Sequence, residues 1–350
     1  MFIIGIGTAT PPHRYTQADC WRTVQHCPAY EKLNSRSKAI LKKVLTSENG
    51  IATRHFALEK LEEAFQINPD ALHSRFIKHA PALATAAAER ALAQSKTLPR
   101  EIDAVLVSTC TGYLCPGLTS YVAERLGLRA DVKTLDLVGQ GCGAAIPSLE
   151  AARALLSAGC KRALSVCVEV CSAAFYLDDD AGVLISACLF ADGASAMVLA
   201  PESNGARRVK WKNSGSLLKP TDREALRFEQ KAGMLRNILT PQVPSLAAQS
   251  VGELFDDTLT RAGMTRKQIN GWIFHPGGRD VLLALRERFQ LSAHDVRWSQ
   301  AVLRDHGNMS SPSVVFAFHA ALSDSAPGGT WWMSSFGAGF SCFGALLEVE

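Results

Sequence analysis

Cys142 has the sequence setting of a nucleophile. It lies in the run VGQGCGAA (138–145), between a predicted apolar strand and a predicted alanine-rich helix. A thiol at the first turn of a helix feels the positive end of the helix dipole, which favours the thiolate, the form that attacks acyl groups. Free cysteines are also among the most buried residues, so a small core side chain is the alternative. The run is compatible with both interpretations.

His275 and Asn308 could complete such a site. A thiol that attacks a carbonyl needs a base within hydrogen-bond reach and donors for the oxyanion. His275 ends a predicted apolar strand and is followed by Pro276, Gly277 and Gly278, which leave its imidazole little steric cover. Asn308 supplies an amide just before a predicted helix. Taken singly, His275 could be a core histidine and Asn308 a helix N-cap. Together with the glycine-flanked cysteine, the two residues favour acyl transfer.

An internal duplication relates the segments that carry these residues. The predicted strand that ends at Ser108 corresponds to the one that ends at His275, an offset of 167 residues. The same offset places Cys142 opposite Met309, next to Asn308. The candidate residues therefore fall at or near corresponding positions of the repeat.

Each copy contains the order strand, helix, strand, helix, strand, and the final strands at 162–169 and 329–336 keep the offset. Such alternation predicts two α/β halves whose sheets are covered by helices, and we place these halves at 1–205 and 206–350. Apart from the first strand, residues 1–80 lie outside the repeat and are predicted to be a mainly helical section packed on the core. We expect equivalent strand ends, and the three candidate side chains with them, to meet between the halves.

Length and composition indicate an ordered globular protein. The chain has 350 residues, of which 47% are hydrophobic and 20% charged, and the basic residues behind its net charge of +4 are scattered. This composition argues against disorder and against a nucleic-acid partner. The apolar N-terminal run is too short to cross a bilayer, so we expect no membrane association. Ten cysteines without a CxxC pair, and no signal peptide, predict reduced thiols in the cytoplasm and no metal site.

Four motifs give the chain a resemblance to a known family. They are QGC (140–142), LFADGA (189–194), WIFHPGG (272–278) and GNMSS (307–311). Together they resemble motifs of the type III polyketide synthases, the chalcone-synthase-like branch of the thiolase-fold condensing enzymes, and the resemblance covers nearly the whole chain. It implies a thiolase-like five-layered α/β/α/β/α fold made of two duplicated halves, and a homodimer.

The resemblance also implies a reaction and the roles of three residues. Cys142 would carry the starter acyl group and the growing polyketide, while His275 and Asn308 would stabilise the thioester oxygen and assist decarboxylation of malonyl-CoA. His275 would also help to keep Cys142 ionised. Loss of CO2 leaves an enolate, so two donors at its oxygen lower the barrier to attack on the thioester. The implied substrates are an acyl-CoA and malonyl-CoA, the implied product is a cyclised pyrone, resorcinol or related compound, and no cofactor is required.

A set of substrate-binding residues is implied as well. Phe190 matches the gatekeeper phenylalanine between the active site and the CoA tunnel, and Cys115 matches a residue that reaches into the cavity of the partner subunit. Core packing and interface packing are the respective alternatives. The other implied substrate-binding residues are Cys110, Ala174, Gly233, Gly277, Gly278 and Ser310. Small side chains here leave volume, from which we expect an aliphatic or otherwise bulky starter.

Three departures from the family pattern leave alternatives open. The stretch between Leu235 and Pro244 is short and lacks a second gatekeeper phenylalanine, and the glycine-rich loop at 335–340 lacks the family's proline. The helix expected to bind the CoA phosphates lacks basic residues at three positions: Leu41, Val44 and Glu48. Because Lys42 and Lys43 adjoin these positions, delivery on CoA and delivery on an acyl carrier protein both stay open. The alternative functions are a single condensation of the ketoacyl synthase III type and noncatalytic binding of acyl thioesters.

Overall fold

The computed structural model describes residues 1–203, 205 and 208–350. The strands are β1 (Phe2–Ala9), β2 (Arg14–Thr16), β3 (Thr53–His55), β4 (Ala104–Thr109), β5 (Lys133–Val138), β6 (Ala163–Glu169), β7 (Gly193–Ala200), β8 (Val209–Leu218), β9 (Leu226–Lys231), β10 (Met234–Leu239), β11 (Ile269–Phe274), β12 (Gly329–Gly337) and β13 (Ser341–Val349). The α-helices are α1 (Gln17–Val24), α2 (Pro28–Glu31), α3 (Ser35–Thr46), α4 (Pro69–Ser95), α5 (Leu118–Leu126), α6 (Ala145–Ser157), α7 (Ala181–Leu189), α8 (Val243–Ala262), α9 (Arg279–Arg288), α10 (Arg297–His306) and α11 (Pro312–Ser323).

Nine of the described strands form one mixed sheet in the order β11-β12-β13-β8-β1-β7-β6-β4-β5. The first half of the chain supplies β5, β4, β6, β7 and β1, which lie between α4 and α5 on one side and α6 and α11 on the other. The second half supplies β8, β13, β12 and β11, which pack on the opposite side of α6 and α11 and are covered by α8 and α9. Every residue of β6 and β7 is buried, as expected for strands covered on both faces. The predicted five-layered fold is confirmed.

The central helices occupy equivalent places in the two halves. α6 begins at Ala145 and α11 at Pro312, which reproduces the offset found in the sequence, and both helices contact both parts of the sheet. The halves differ at the position of β5: the described part of the second half has no strand that corresponds to β5 and forms α10 there instead. This helix buries Trp298, Val302 and Leu303 on one face. The predicted boundary lies between β7 and β8 at Ala206, outside the described residues, and stays a prediction.

The section before α4 is mainly helical, as predicted, and it reaches the centre of the molecule. It contains α1, α2 and α3 together with the short antiparallel pair of β2 and β3. α3 packs against α7, and β3 lies beside α10. Within the described residues, none of the helices combines the length and the apolar character needed to cross a membrane.

Two glycines of β1 allow the long helix α4 to lie directly on the sheet. A Cβ on Gly7 would overlap the carbonyl oxygen of Ala87 and come within 2.5 Å of the Ala91 nitrogen, and Gly5 meets the same helix one turn further on. Both groups of atoms are backbone and cannot move aside without displacing the helix. These glycines therefore serve the packing of α4 on β1.

We predict that Gly7→Ala lowers the free energy of unfolding by about 1–3 kcal/mol, because the added methyl group is forced into a filled space. Urea unfolding followed by circular dichroism measures this difference. Thr8→Ala is the matched control, since it changes the neighbouring, half-buried position of the same strand. Equal stability of Gly7→Ala and the wild-type protein would contradict the packing argument.

Candidate active site

The Cys142 thiol lies where the two halves of the chain touch. It occupies a short 3-10 turn, Gly141–Gly143, just before α6, so it lies at the N-terminal end of a helix as predicted. A Cβ on Gly337, at the end of β12, would lie 2.7 Å from the Gly143 nitrogen and 3.1 Å from the Cys142 nitrogen. The Ser335 hydroxyl donates to the Gly143 carbonyl at 3.1 Å. Only a residue without a side chain lets the second half lie this close to the cysteine.

His275 follows β11 and holds its imidazole in a dry environment. Its backbone N–H donates to the Ser334 carbonyl at 2.9 Å, and its ring meets Phe336 edge to face, with centroids 5.5 Å apart. Burial lowers the pKa of His275 to about 3. Its Nδ1 is buried and has no hydrogen-bond partner among the described residues, so an imidazolium would leave an N–H there without an acceptor. The neutral ring is therefore favoured.

Asn308 lies in the connection between α10 and α11, and its amide is held in one orientation. Its Nδ2 donates to the Gly277 carbonyl at 3.0 Å, and its Oδ1 accepts from the Ser310 N–H at 2.8 Å. The backbone is fixed too, since its N–H donates to the Leu189 carbonyl and its carbonyl accepts from the Ala191 N–H, both at 2.9 Å. One amide hydrogen is left over, and the side chain lines a cavity into which this hydrogen can be donated.

All three candidate catalytic residues line one cavity, whose volume is about 540 Å³. At its inner end it is lined by the buried residues Cys142, Phe190, His275 and Asn308. Gly277 and Gly278 line it as well. It reaches the surface between Lys43 of α3 and Arg279 of α9, which are both exposed. The wall between the two ends is apolar and includes Ile185, Leu189, Leu226, Leu239, Val243 and Pro244.

A chain of polar groups leads from the Cys142 thiol away from the cavity. The Ser310 hydroxyl donates to the Cys142 sulfur at 3.2 Å, and the Cys110 sulfur lies 3.4 Å from the same hydroxyl. The Ser310 oxygen also lies 3.4 Å from a carboxylate oxygen of Glu169, and the Cys110 thiol donates to that oxygen at 3.3 Å. Ser310 thus connects the thiol to a buried carboxylate.

Glu169, at the end of β6, is the residue of this network that the sequence analysis missed. Its carboxylate is fully buried and accepts hydrogen bonds from the Thr109, Thr111 and Ser311 hydroxyls at 3.2, 2.9 and 2.7 Å, and from the Cys110 N–H at 3.0 Å. Burial raises the pKa of Glu169, and these donors oppose the rise. A glutamate that ends an otherwise uncharged buried strand is the sequence signal that could have found it.

The charge state of Cys142 follows from the same environment. Burial raises the pKa of the thiol to about 12, with the Ser310 hydrogen bond opposing the rise and the Glu169 charge adding to it. Within the part of the chain that the structure describes, no hydrogen bond joins the thiol to His275. A thiolate and an imidazolium that form together in one cavity each offset part of the desolvation of the other. Ionisation of Cys142 by His275 stays a prediction.

The remaining implied substrate-binding residues lie in three different places. Cys115 is exposed in the loop before α5, and Ala174 is buried in the 3-10 turn Cys171–Ala174. Gly233 lies in the turn between β9 and β10, with a φ of +75° and Pro69 as its neighbour. None of these three lines the cavity that contains Cys142. Their roles in substrate binding stay predictions.

Comparison with protein families matches almost the whole chain to two related models. Residues 9–219 match the model described as FAE1/Type III polyketide synthase-like protein, and residues 259–349 match the C-terminal model of 3-oxoacyl-[acyl-carrier-protein] synthase III. The chain belongs to the type III polyketide synthase family. Its first match includes Cys142 and Phe190, and its second includes His275 and Asn308.

Two curated relatives of this chain are bacterial. The 3,5-dihydroxyphenylacetyl-CoA synthase of Streptomyces toyocaensis is 30% identical over 69% of this chain, which spans 64% of the length of that relative. The 1,3,6,8-tetrahydroxynaphthalene synthase of Streptomyces peucetius subsp. caesius is 29% identical over 99% of this chain and 92% of its own length. Among solved structures, PKS-I from the brown alga Ectocarpus siliculosus superposes with a TM-score of 0.90 at 26% identity, covering 99% of this chain and 97% of that one.

The mouth of the cavity shows how this chain departs from the family pattern. Leu41 is 1% exposed and belongs to the core, and Val44 lines the cavity as an apolar residue. Lys43 of α3 lines the same opening. Arg279 of α9 lines it too, and its guanidinium donates to the Glu48 carbonyl with a donor–acceptor distance of 2.5 Å. The positive charge at the mouth is thus divided between two elements.

We predict that Glu169→Gln lowers the pKa of the Cys142 thiol, because the Glu169 charge opposes formation of the thiolate. The rate of alkylation of Cys142 by iodoacetamide, followed across pH by mass spectrometry of its peptide, measures this pKa.

Glu150→Gln is the matched control, since it removes a carboxylate from the surface of α6. Its alkylation profile is expected to follow that of the wild-type protein. A Glu169→Gln profile that stays in place, or moves to higher pH, would refute the electrostatic role assigned to Glu169.

Proposed function

We propose that this protein extends an acyl starter with malonyl units on Cys142 and cyclises the product to a pyrone, a resorcinol or a related compound. It would therefore be an acyltransferase of the polyketide synthase class. One observation carries the proposal: Cys142, His275 and Asn308 come from separate parts of the chain and line one cavity that opens to the surface.

Loading of the starter is the first step. The Cys142 sulfur attacks the carbonyl carbon of the acyl-CoA, and its proton passes to His275. The oxygen becomes an oxyanion within reach of the His275 ring and the free Asn308 amide hydrogen. The tetrahedral intermediate then expels CoA, which takes the proton from His275 and leaves as a thiol. The starter is now held as a thioester on Cys142.

Condensation follows from the same two donors. Malonyl-CoA loses CO2, and the electron pair of the broken bond forms an enolate whose oxygen accepts from His275 and Asn308. The enolate carbon attacks the Cys142 thioester, so that a carbon–carbon bond forms, the carbon–sulfur bond breaks and the thiolate is restored. Because hydrogen-bond donors stabilise the developing charge, the proposed chemistry calls for neither a metal ion nor a redox cofactor. We propose small-molecule substrates only, with no nucleic-acid or membrane partner.

The apolar wall of the cavity supports an aliphatic starter. Ile185, Leu226 and Leu239 offer hydrocarbon surface between the mouth and Phe190, and burial of each methylene against such a wall is worth about 0.8 kcal/mol. The starter would arrive on CoA, with Lys43 and Arg279 nearest to its phosphates.

A single condensation on a carrier protein is the second candidate function. It is favoured by the match of residues 259–349 to the 3-oxoacyl-[acyl-carrier-protein] synthase III model, and the divided charge at the mouth suits either carrier. The ten cysteines are all free thiols, which supports a cytoplasmic, reducing environment for both functions.

We further propose a homodimer formed through β5. Within the described residues this strand ends the sheet and pairs with β4 alone, and its residues Leu135 and Val138 are 42% and 50% exposed. An uncovered apolar edge strand invites pairing, and a twofold-related copy would extend the sheet across the interface. The loop that carries Cys115 lies beside β5, since the Asp136 carboxylate accepts from Thr119 just after it. Cys115 would then lie near the cavity of the partner subunit.

We predict that Asn308→Ala slows decarboxylation of malonyl-CoA by about 100-fold, because one of two oxyanion donors is lost. Release of labelled CO2 from malonyl-CoA measures this rate, and mass spectrometry of products across a panel of acyl-CoA and acyl-carrier-protein starters tests the function. Products with several malonyl units support the proposal, whereas single extension supports the second candidate.

Cys142→Ala is the companion variant for this experiment. It is expected to form no condensed product with any starter, since no thioester can be loaded. Condensation by this variant at the wild-type rate would refute the proposed mechanism, and retention of acyl thioesters by the wild-type protein without turnover would indicate a noncatalytic binding protein.

We predict that Leu135→Lys converts the dimer to a monomer, because a charge on β5 would be buried in the paired sheet. Light scattering after size-exclusion chromatography measures the mass. Leu98→Lys is the matched control, since Leu98 is 48% exposed but lies in the connection between α4 and β4 rather than on β5. A wild-type protein that is already monomeric, or a Leu135→Lys variant that keeps the dimer mass, would overturn the proposed interface.

A further inference from the structure

Arg54 is a buried cation whose hydrogen bonds go to uncharged oxygens. It lies in β3 and is 3% exposed. One guanidinium nitrogen, Nη1, donates to the carbonyls of Ala187 and Phe190 at 2.7 and 2.9 Å, and Nε donates to the Gln17 amide oxygen at 3.1 Å. Gln17 in turn donates to the Cys188 carbonyl at 3.1 Å. The side chain thus holds the last turn of α7 and the residue that follows it.

The same side chain also lies against the segment that carries Asn308. A Cβ on Gly307 would come within 2.9 Å of the Arg54 Cγ, and the φ of Gly307 is +72°. The neighbouring Thr53 hydroxyl donates to the Asp305 carbonyl at 2.7 Å. Two side chains of β3, Thr53 and Arg54, therefore contact the backbone just before Asn308.

The two segments held by Arg54 are joined to each other. Phe190 and Asn308 form an isolated parallel bridge, closed by hydrogen bonds that involve the backbone of Leu189, Ala191 and Asn308. The Phe190 side chain packs against Cys142. A change at Arg54 can therefore reach the gate residue, the amide donor and the thiol through direct contacts.

The choice of arginine at this place needs a reason beyond filling space. A buried cation without a carboxylate partner is desolvated, and an apolar side chain of similar length would avoid that penalty. Only a guanidinium has the rigid fork of donors that reaches two carbonyls and an amide oxygen at once. Its charge is also placed at the C-terminal end of α7, where the helix dipole favours a cation.

We propose that Arg54 is a positioning residue that sets the aperture at Phe190 and the orientation of Asn308, and thereby the range of acyl starters that reach Cys142. The part that concerns starters rests on the proposed function. The part that concerns the aperture does not, because access to Cys142 is a property of the folded protein whether or not it condenses acyl-CoA.

The test uses Arg54→Met and Arg54→Lys in the full chain, with Arg90→Met as the matched control on the surface of α4. Two ratios are measured, each normalised to the amount of protein whose Cys142 can be alkylated. The first is the rate of Cys142 alkylation by a long-chain N-alkylmaleimide divided by the rate with iodoacetamide. The second is kcat/KM for a long acyl-CoA divided by kcat/KM for a short one. We expect both ratios to change by about tenfold in Arg54→Met, the size of effect that one methylene produces in an apolar pocket. Decarboxylation of malonyl-CoA should fall by up to about 100-fold, as for a donor displaced by about 1 Å.

A purely structural role would lower the melting temperature and the fraction of reactive protein but leave both ratios unchanged, and that result would overturn the proposal. Thr53→Val serves where Arg54→Met does not fold, since it removes the hydrogen bond to the Asp305 carbonyl together with the one that the Thr53 hydroxyl accepts from Arg14. It should slow decarboxylation without changing the charge in the core. If the wild-type protein condenses no acyl-CoA, the proposed function fails, while the ratio of alkylation rates still decides the role of Arg54.

Discussion

The close approach of two backbone segments at Gly337 is the constraint on which the rest of the site depends. The end of β12 lies against the turn that holds Cys142, with no space for a side chain between them. Each half brings its reactive groups to the ends of strands and the starts of helices, so the distance between the halves decides whether those groups face one cavity. A larger residue at this position would move His275 and Cys142 apart, together with the parts of the chain that carry them.

Burial then gives these groups their chemistry. A dry cavity disfavours a lone charge on either Cys142 or His275, yet it strengthens every hydrogen bond to a charge that develops during a reaction. The site thus holds neutral groups at rest and is arranged for an oxyanion. The hydroxyl of Ser310 couples the sulfur to Glu169, whose position behind the thiol lets it influence ionisation without lining the cavity.

The sequence predicted two α/β halves, and that Cys142, His275 and Asn308 lie together, because both depend on local signals that repeat. The five-layered arrangement was implied by the family resemblance. The sequence alone shows the glycines beside Cys142, the apolar strand before His275 and the constant offset between the copies. Glu169 was missed because its importance comes from five donors on other segments. Gly233 lies in the turn of the short β9–β10 hairpin beside Pro69, and its role in substrate binding stays a prediction. Contacts between distant segments, which set the aperture of the cavity, carry no such periodic signal.

The distribution of charge at the mouth shows how a tolerant entrance can be built. Lys43 has no ion pair within the described residues, whereas the Arg279 charge is shared with Asp280 at 2.9 Å. The net attraction for a phosphate is therefore modest, and exposed charges of this kind are screened by salt. On the proposed function, most of the binding free energy would come from the apolar wall that leads to Phe190, which would contact the acyl and pantetheine portions common to both carriers. On the same proposal, the shape of the acyl chain at Phe190 would decide selection more than contacts to the nucleotide at the surface.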